Sequence, residues 1–271
     1  ITWSLFQLWY ASPLPFLLDF GKLIDVPARA IHLAFGMGLC FLAYPALKSK
    51  RNSSINIFDF ILALVSILAT FYLVIEYEGL VYRQGILSSV ELFGLKISYE
   101  LILGSIGILL LLEATRRAIG IPLVAIALIF LLFSIFGQKM PDLISHQGLS
   151  LTRLVGYHWF GGEAIFGIPI SVSVSFIFLF VLFGATLDAA GGGKYFLNLA
   201  FALVGKMRGG PAKAAILASG LTGLISGSSV ANTVTTGTFT IPIMKRTGLT
   251  STKAGAIEVA ASVNGQIMPP I

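Results

Sequence analysis

Charge is what this sequence has least of. Of its 271 residues, 11% are charged and 56% are hydrophobic, whereas a soluble domain carries about 25% charged residues. That balance excludes a soluble domain with a large core. It also makes the net charge of +6 a property of basic loops rather than a sign of nucleic-acid binding. Cysteine is nearly absent: Cys40 is the single one, which excludes an intramolecular disulfide and a cysteine-based metal cluster. His32 and His146 stand alone with nothing metal-like around them. There is no G-x-x-x-x-G-K-[ST] loop, so nothing in the chain points to ATP. The sequence opens on Ile1 and stops at Met-Pro-Pro-Ile. It reads as a fragment missing something at both ends, and no signal peptide can be judged from it.

What is there in abundance is apolar sequence in spans, and one unusual stretch. Between Lys213 and Lys245-Arg246 lie 31 residues, Ala214 to Met244, without a charge. A membrane helix needs about 20 apolar residues, so the stretch is too long for one crossing. It is also too polar, with Ser226, Ser228, Ser229, Asn232, Thr233, Thr235, Thr236, Thr238 and Thr240 in a glycine-rich run. Two short helices meeting at a loop fit better. The first, 211–225, spans about 22 Å and the second, 233–245, about 20 Å. Neither crosses a hydrocarbon core of roughly 30 Å. Ser226-Gly-Ser-Ser229 breaks the first helix, and Asn232 or Thr233 caps the second. Basic residues at both feet put both on the cytoplasmic side. The stretch 211–246 is therefore expected to be a re-entrant hairpin with its tip in the membrane. Irregular backbone at that depth lines a wet cavity or is buried in protein. A single tilted helix with a Ser/Thr packing face is the competing reading.

The remaining chain supplies spans at 29–47, 57–75, 98–113, 120–137 and 166–187. A connector lies at 80–97, an in-plane helix and loop at 139–165, and an inner-face helix at 194–207. Residues 252–268 form a helix stopped by Pro269-Pro270. Lys48, Lys50 and Arg51 mark the cytoplasm. On this topology twelve of the eighteen basic residues lie inside and six outside. Gly, Ser, Thr and Asn concentrate after about residue 140. The expected fold class is an all-α polytopic membrane protein, a helical bundle followed by a transport region bearing the hairpin.

Two segments carry candidate chemistry. At the hairpin tip, Ser226, Gly227, Ser228, Ser229 and Asn232 offer carbonyls and side-chain oxygens that suit sodium. The second is Ser262 to Pro270, where a helix ending at glycine and double proline frees further carbonyls. The plain alternatives are hydroxyls bonding between packed helices and an ordinary helix end. Glu258 lies within a span and is a functional candidate, or an ion-pair partner of Lys253. Arg116 and Arg117, after Glu113, read as a positive-inside anchor. His158 near Glu163 could be a base and its orienter, but no nucleophile accompanies them, and interfacial packing fits better.

RGGPAKAAILASGLTGLISGSSVANTVTTGTFTIPIMKRTG, followed by AGAIEVAASVNGQIMPPI, resembles the large membrane subunit of tripartite ATP-independent periplasmic (TRAP) transporters, in the fused form that works with TAXI-type binding proteins. LEATRRAIGIPL at 112–123, and FQLW followed by RAIHLAF, resemble the small-subunit portion of such fusions. The resemblance implies a small-subunit-like bundle at 1–117, its first helix truncated. A connecting span and interfacial arm would follow at 118–165, then the first half of the large transport part at 166–271. It implies an inverted-repeat, elevator-type fold in the bacterial or archaeal cytoplasmic (inner) membrane. It implies sodium-coupled uptake of small organic anions (carboxylates) delivered by a periplasmic binding protein, with lipid as surroundings and no other cofactor, no catalysis and no nucleic acid. The ion and substrate site would draw on Ser226, Gly227, Ser228, Ser229, Asn232, Thr235, Asn264, Gly265, Gln266 and Pro269. Sodium itself would lie by Ser226, Ser228, Asn232 and Gly265. The family usually has two glycines where this chain has Asn264-Gly265, so an amide is added at the break. A non-transporting assembly subunit or an intramembrane enzyme is the alternative.

Overall fold

A computed structural model describes residues 1–46, 56–83, 86–92, 95–227 and 229–267. The topology marker Lys48, Lys50, Arg51 and the site candidates Ser228 and Pro269 lie outside the described residues. The described residues are mostly helical. The chain divides into two compact units, Ile1–Val174 and Ser175–Ile271.

The first unit begins with α1 (Thr2–Ala11) and a single turn, α2 (Leu14–Leu17). The Pro13 and Pro15 region interrupts the helix there, as proline does. Next come α3 (Asp25–Ala43), α4 (Ile57–Tyr82), a ribbon of β1 (Val90–Leu92) and β2 (Leu95–Ile97), α5 (Tyr99–Ala118), α6 (Ile121–Ile135), α7 (Leu151–Val155) and α8 (Ile168–Val172). Helix α3 begins and ends four residues before the span expected at 29–47. It stops at Ala43 because Tyr44 precedes Pro45, a position that disfavours helical backbone. Helix α4 outruns its expected end at residue 75. Arg83 closes it by donating from Nε to the Gly79 carbonyl, 3.1 Å. The same guanidinium reaches Glu76 at 3.0 Å and the buried Glu100 at 2.9 Å. The bond to Glu100 raises the Arg83 pKa above its ordinary value.

At the opposite end of α4, Asp59 meets Arg117 at 2.6 Å, with both side chains at most 3% exposed. Arg117 also donates to the Tyr44 carbonyl at 3.1 Å and to Glu113 at 2.7 Å. The sequence casts Arg116 and Arg117 as a positive-inside anchor. The structure gives Arg117 a further part, as an internal clamp joining α3, α4 and α5, while the Arg116 side chain is exposed. His158 bonds to the Leu154 carbonyl of its own helical turn, which favours the packing reading.

The unit's core runs from Phe41 and Met37 of α3 through Leu73 of α4 to Trp159 and Phe166. Trp159 is fully buried. Its indole lies against α5 where Gly107 has no side chain, and a Cβ there would overlap the ring. We expect Gly107→Val to lower thermal stability by about 1–3 kcal/mol, the usual cost of overpacking a filled core. A differential scanning fluorimetry trace of the detergent-solubilised protein checks it.

The second unit contains α9 (Phe178–Ala189), α10 (Gly192–Val204), α11 (Gly210–Ser226), α12 (Ser229–Arg246), α13 (Ser251–Ser262) and α14 (Asn264–Ile267). Leu197 and Ala200 of α10 pack on Ala214 and Ala218 of α11. Among the described residues three helices are long and apolar enough to cross a membrane, Asp25–Ala43, Ile57–Tyr82 and Ile168–Leu187. This is an integral membrane protein of the helical class. Its many exposed Leu, Ile and Phe side chains are what a lipid-facing surface requires.

Candidate ion and substrate site

The charge-free stretch folds as two antiparallel helices. At one end Ala212 and Ala215 of α11 pack with Ile241 and Met244 of α12, around Ala254 of α13. At the other end Thr222 of α11 meets Asn232 of α12. Gly227 makes the turn with φ +57°, a left-handed conformation that suits glycine and costs a residue with a Cβ. Its N–H returns to the Gly223 carbonyl at 3.2 Å. A single rod through the stretch is excluded.

The expected boundaries shift. Helix α12 starts at Ser229, so Asn232 and Thr233 lie inside it rather than capping it. The Thr233 hydroxyl donates to the Ser229 carbonyl at 2.8 Å. The Asn232 amide turns inward, donating to the Ser219 carbonyl at 2.8 Å and the Ser219 hydroxyl at 3.0 Å. Thr222 donates to its oxygen. With its side chain fully buried, Asn232 bolts α12 to α11. At 17 and 18 residues the helices are about 26 and 27 Å long, still short of a hydrocarbon core of roughly 30 Å.

In the second candidate segment helix α13 ends at Ser262, Val263 has right-handed backbone, and α14 follows; the stop expected at Pro269-Pro270 lies outside the described residues. The segment reaches the hairpin. A Cβ on Gly223 would stand 2.8 Å from the Gly265 Cα and 3.3 Å from the Asn264 carbonyl oxygen, so the two backbones touch. Gly227, Ser229 and Asn264 are half-buried, Gly265 is buried and Gln266 is exposed. Thr235 is exposed on α12. Ser226 is the last residue of α11. A helix C-terminus presents carbonyls without N–H partners and a partial negative charge, which favours a cation.

Glu258 is the centre the sequence resolved least. It is fully buried on α13, with the hydroxyls of Thr236 and Thr240 of α12 and of Ser262 of its own helix against its carboxylate. Lys253 is exposed, and no ion pair to Glu258 exists among the described residues, so of the two readings of Glu258 the ion pair with Lys253 is not formed and a hydroxyl cradle surrounds the carboxylate. Ser219 bonds Ser262 at 3.4 Å, which joins the cradle to Asn232. The cradle could have been found from spacing: Asn232, Thr236 and Thr240 recur every four residues, one stripe on a helix.

Residues 106–271, more than half of the chain, match the family described as "Tripartite ATP-independent periplasmic transporter, DctM component". The chain belongs to that family, one of membrane transporters rather than enzymes. A "Putative TRAP transporter large permease protein" of Haemophilus influenzae is 33% identical over 100 residues, 37% of this chain and 24% of that protein. An "Uncharacterized protein YgiK" of Salmonella typhimurium is 33% identical over 153 residues, 56% of this chain and 32% of that protein. The chain thus spans about a third or less of the curated relatives it matches. No solved structure matches it.

Proposed function

We propose that this chain is part of the permease of a sodium-coupled, binding-protein-dependent secondary transporter for small organic anions, multi-pass in the inner membrane. Its partner on this reading is a periplasmic TAXI-type substrate-binding protein, and the small-subunit portion is fused ahead of the large one. The observation that carries the proposal is the contact of Gly223 with Gly265. It sets α11, three residues before its C-terminal end, against the Asn264-Gly265 segment, with the Asn264 carbonyl oxygen at the contact. Transporters hold ions and carboxylates at such ends. The domain bearing α11 and α12 moves as an elevator against a fixed scaffold, carrying ion and anion together.

Whole-cell uptake with the binding protein present tests it. Ser229→Ala weakens the sodium dependence several-fold, because Ser229 opens α12 at the turn. Asn232→Ala reduces uptake further by unbolting the pair. Wild-type sodium dependence in both variants would remove the tip from the mechanism.

A further inference from the structure

A second place in the same unit calls for a ligand. Glu258 is buried to 0% exposure, and every charged side chain on the helices packed about it points elsewhere. Lys213 of α11, Lys245 and Arg246 of α12, and Lys253 of α13 are all exposed, and α14 carries none. A buried carboxylate without a counter-charge is costly. What faces it instead is oxygen: the hydroxyls of Thr236, Thr240 and Ser262, with Ser219 behind Ser262.

Each of these hydroxyls carries a single hydrogen. Thr236 stands 2.7 Å from the Asn232 carbonyl oxygen and also against Glu258. Thr240 stands 3.0 Å from the Thr236 carbonyl oxygen and also against Glu258. Two hydrogens serve four contacts. When the threonines donate to their helix carbonyls, as threonine commonly does in helices, their lone pairs face the carboxylate. One positive centre between them satisfies all of these oxygens together.

We propose that Glu258, with Thr236, Thr240, Ser262 and Ser219, is a buried binding site for a single positive charge, a proton or an alkali-metal ion. One carboxylate neutralises one charge, and all-oxygen neighbours suit a hard cation. No group of three His, Cys, Asp or Glu side chains that could hold a multivalent metal exists among the described residues. The site spans α12 and α13 and reaches the tip through Ser219, whose hydroxyl touches both Ser262 and Asn232. Loading it therefore ties together the helices that hold the tip. The proposal goes beyond the tip reading and does not rest on it.

Infrared difference spectroscopy on the protein in liposomes tests it, comparing wild type with Glu258→Gln. Spectra are taken in sodium, lithium and N-methylglucamine buffers and across a pH series. A carbonyl band of a protonated acid at neutral pH, absent from the variant, identifies the ligand as a proton. A carboxylate band that shifts when sodium or lithium replaces N-methylglucamine, also absent from the variant, identifies an alkali ion. A Glu258 carboxylate band indifferent to both cation and pH, or spectra that the substitution leaves unchanged, overturns the proposal. Should Glu258→Gln fail to fold, Glu258→Asp makes the same assignment by displacing the band. The tip reading is judged separately, by the uptake of Ser229→Ala.

Discussion

On the sodium-coupled function proposed above, Gly223→Val is expected to abolish uptake. The wild-type glycine lets α11 lie backbone to backbone on the Asn264-Gly265 segment. A Cβ at that position would sit 2.8 Å from the Gly265 Cα and 3.1 Å from its nitrogen. Those neighbours are main-chain atoms and cannot swing aside as a side-chain end can, so the helices must part. Overpacking of this kind costs about 1–3 kcal/mol, and each 1.4 kcal/mol lost from ion binding is about tenfold in affinity. Gly223→Ala should shift the half-saturating sodium concentration by about tenfold, and valine should remove uptake. Transport titrated with sodium, alongside a thermal melt, separates the two losses. Uptake by the valine variant at wild-type sodium affinity would show that the apposition has no part in transport.

Asp59→Ala produces the largest loss of stability in the first unit. Asp59 neutralises Arg117 at 2.6 Å with both side chains out of solvent. The guanidinium also lies 4.9 Å from the centre of the Phe41 ring. Removing the carboxylate leaves a buried cation sharing only Glu113 and a carbonyl, and breaking one side of a buried pair costs about 3–5 kcal/mol. Replacing both partners, Asp59→Leu with Arg117→Met, should recover most of that loss, because no charge is then stranded. Melting temperatures of the single and double variants decide it. Equal losses in both would mean that the pair contributes packing rather than charge compensation.

These two sites differ in how far the sequence revealed them. The hairpin was legible because a charge-free window too long for one span, with Gly227 inside it and basic residues at its feet, admits few folds. The direction of Asn232 was not. A residue type that caps helices is equally able to bond across them, and only the facing Ser219 and Thr222 decide between the two. Glu258 was visible as an acid within a span, but sequence distance suggested Lys253 as its partner. Helical geometry turns Lys253 outward and brings Thr236 and Thr240 over from another helix. Arg117 was only half legible, for the opposite reason. Its neighbour Arg116 obeys the positive-inside pattern, and nothing local shows that Asp59, in another helix, has drawn one of the two inward. The Gly223–Gly265 contact joins segments about forty residues apart, beyond the reach of any local periodicity.

On the proposed function α11 and α12 enter and leave by one face of the membrane. Thiol labelling tests it most directly, in a Cys40→Ala background because Cys40 is the chain's single cysteine. Lys213→Cys and Thr247→Cys are each exposed to a membrane-impermeant maleimide in right-side-out and inside-out vesicles. Both should react only in inside-out vesicles. Reaction of one in right-side-out vesicles and the other in inside-out vesicles would put the feet on opposite leaflets and contradict the claim.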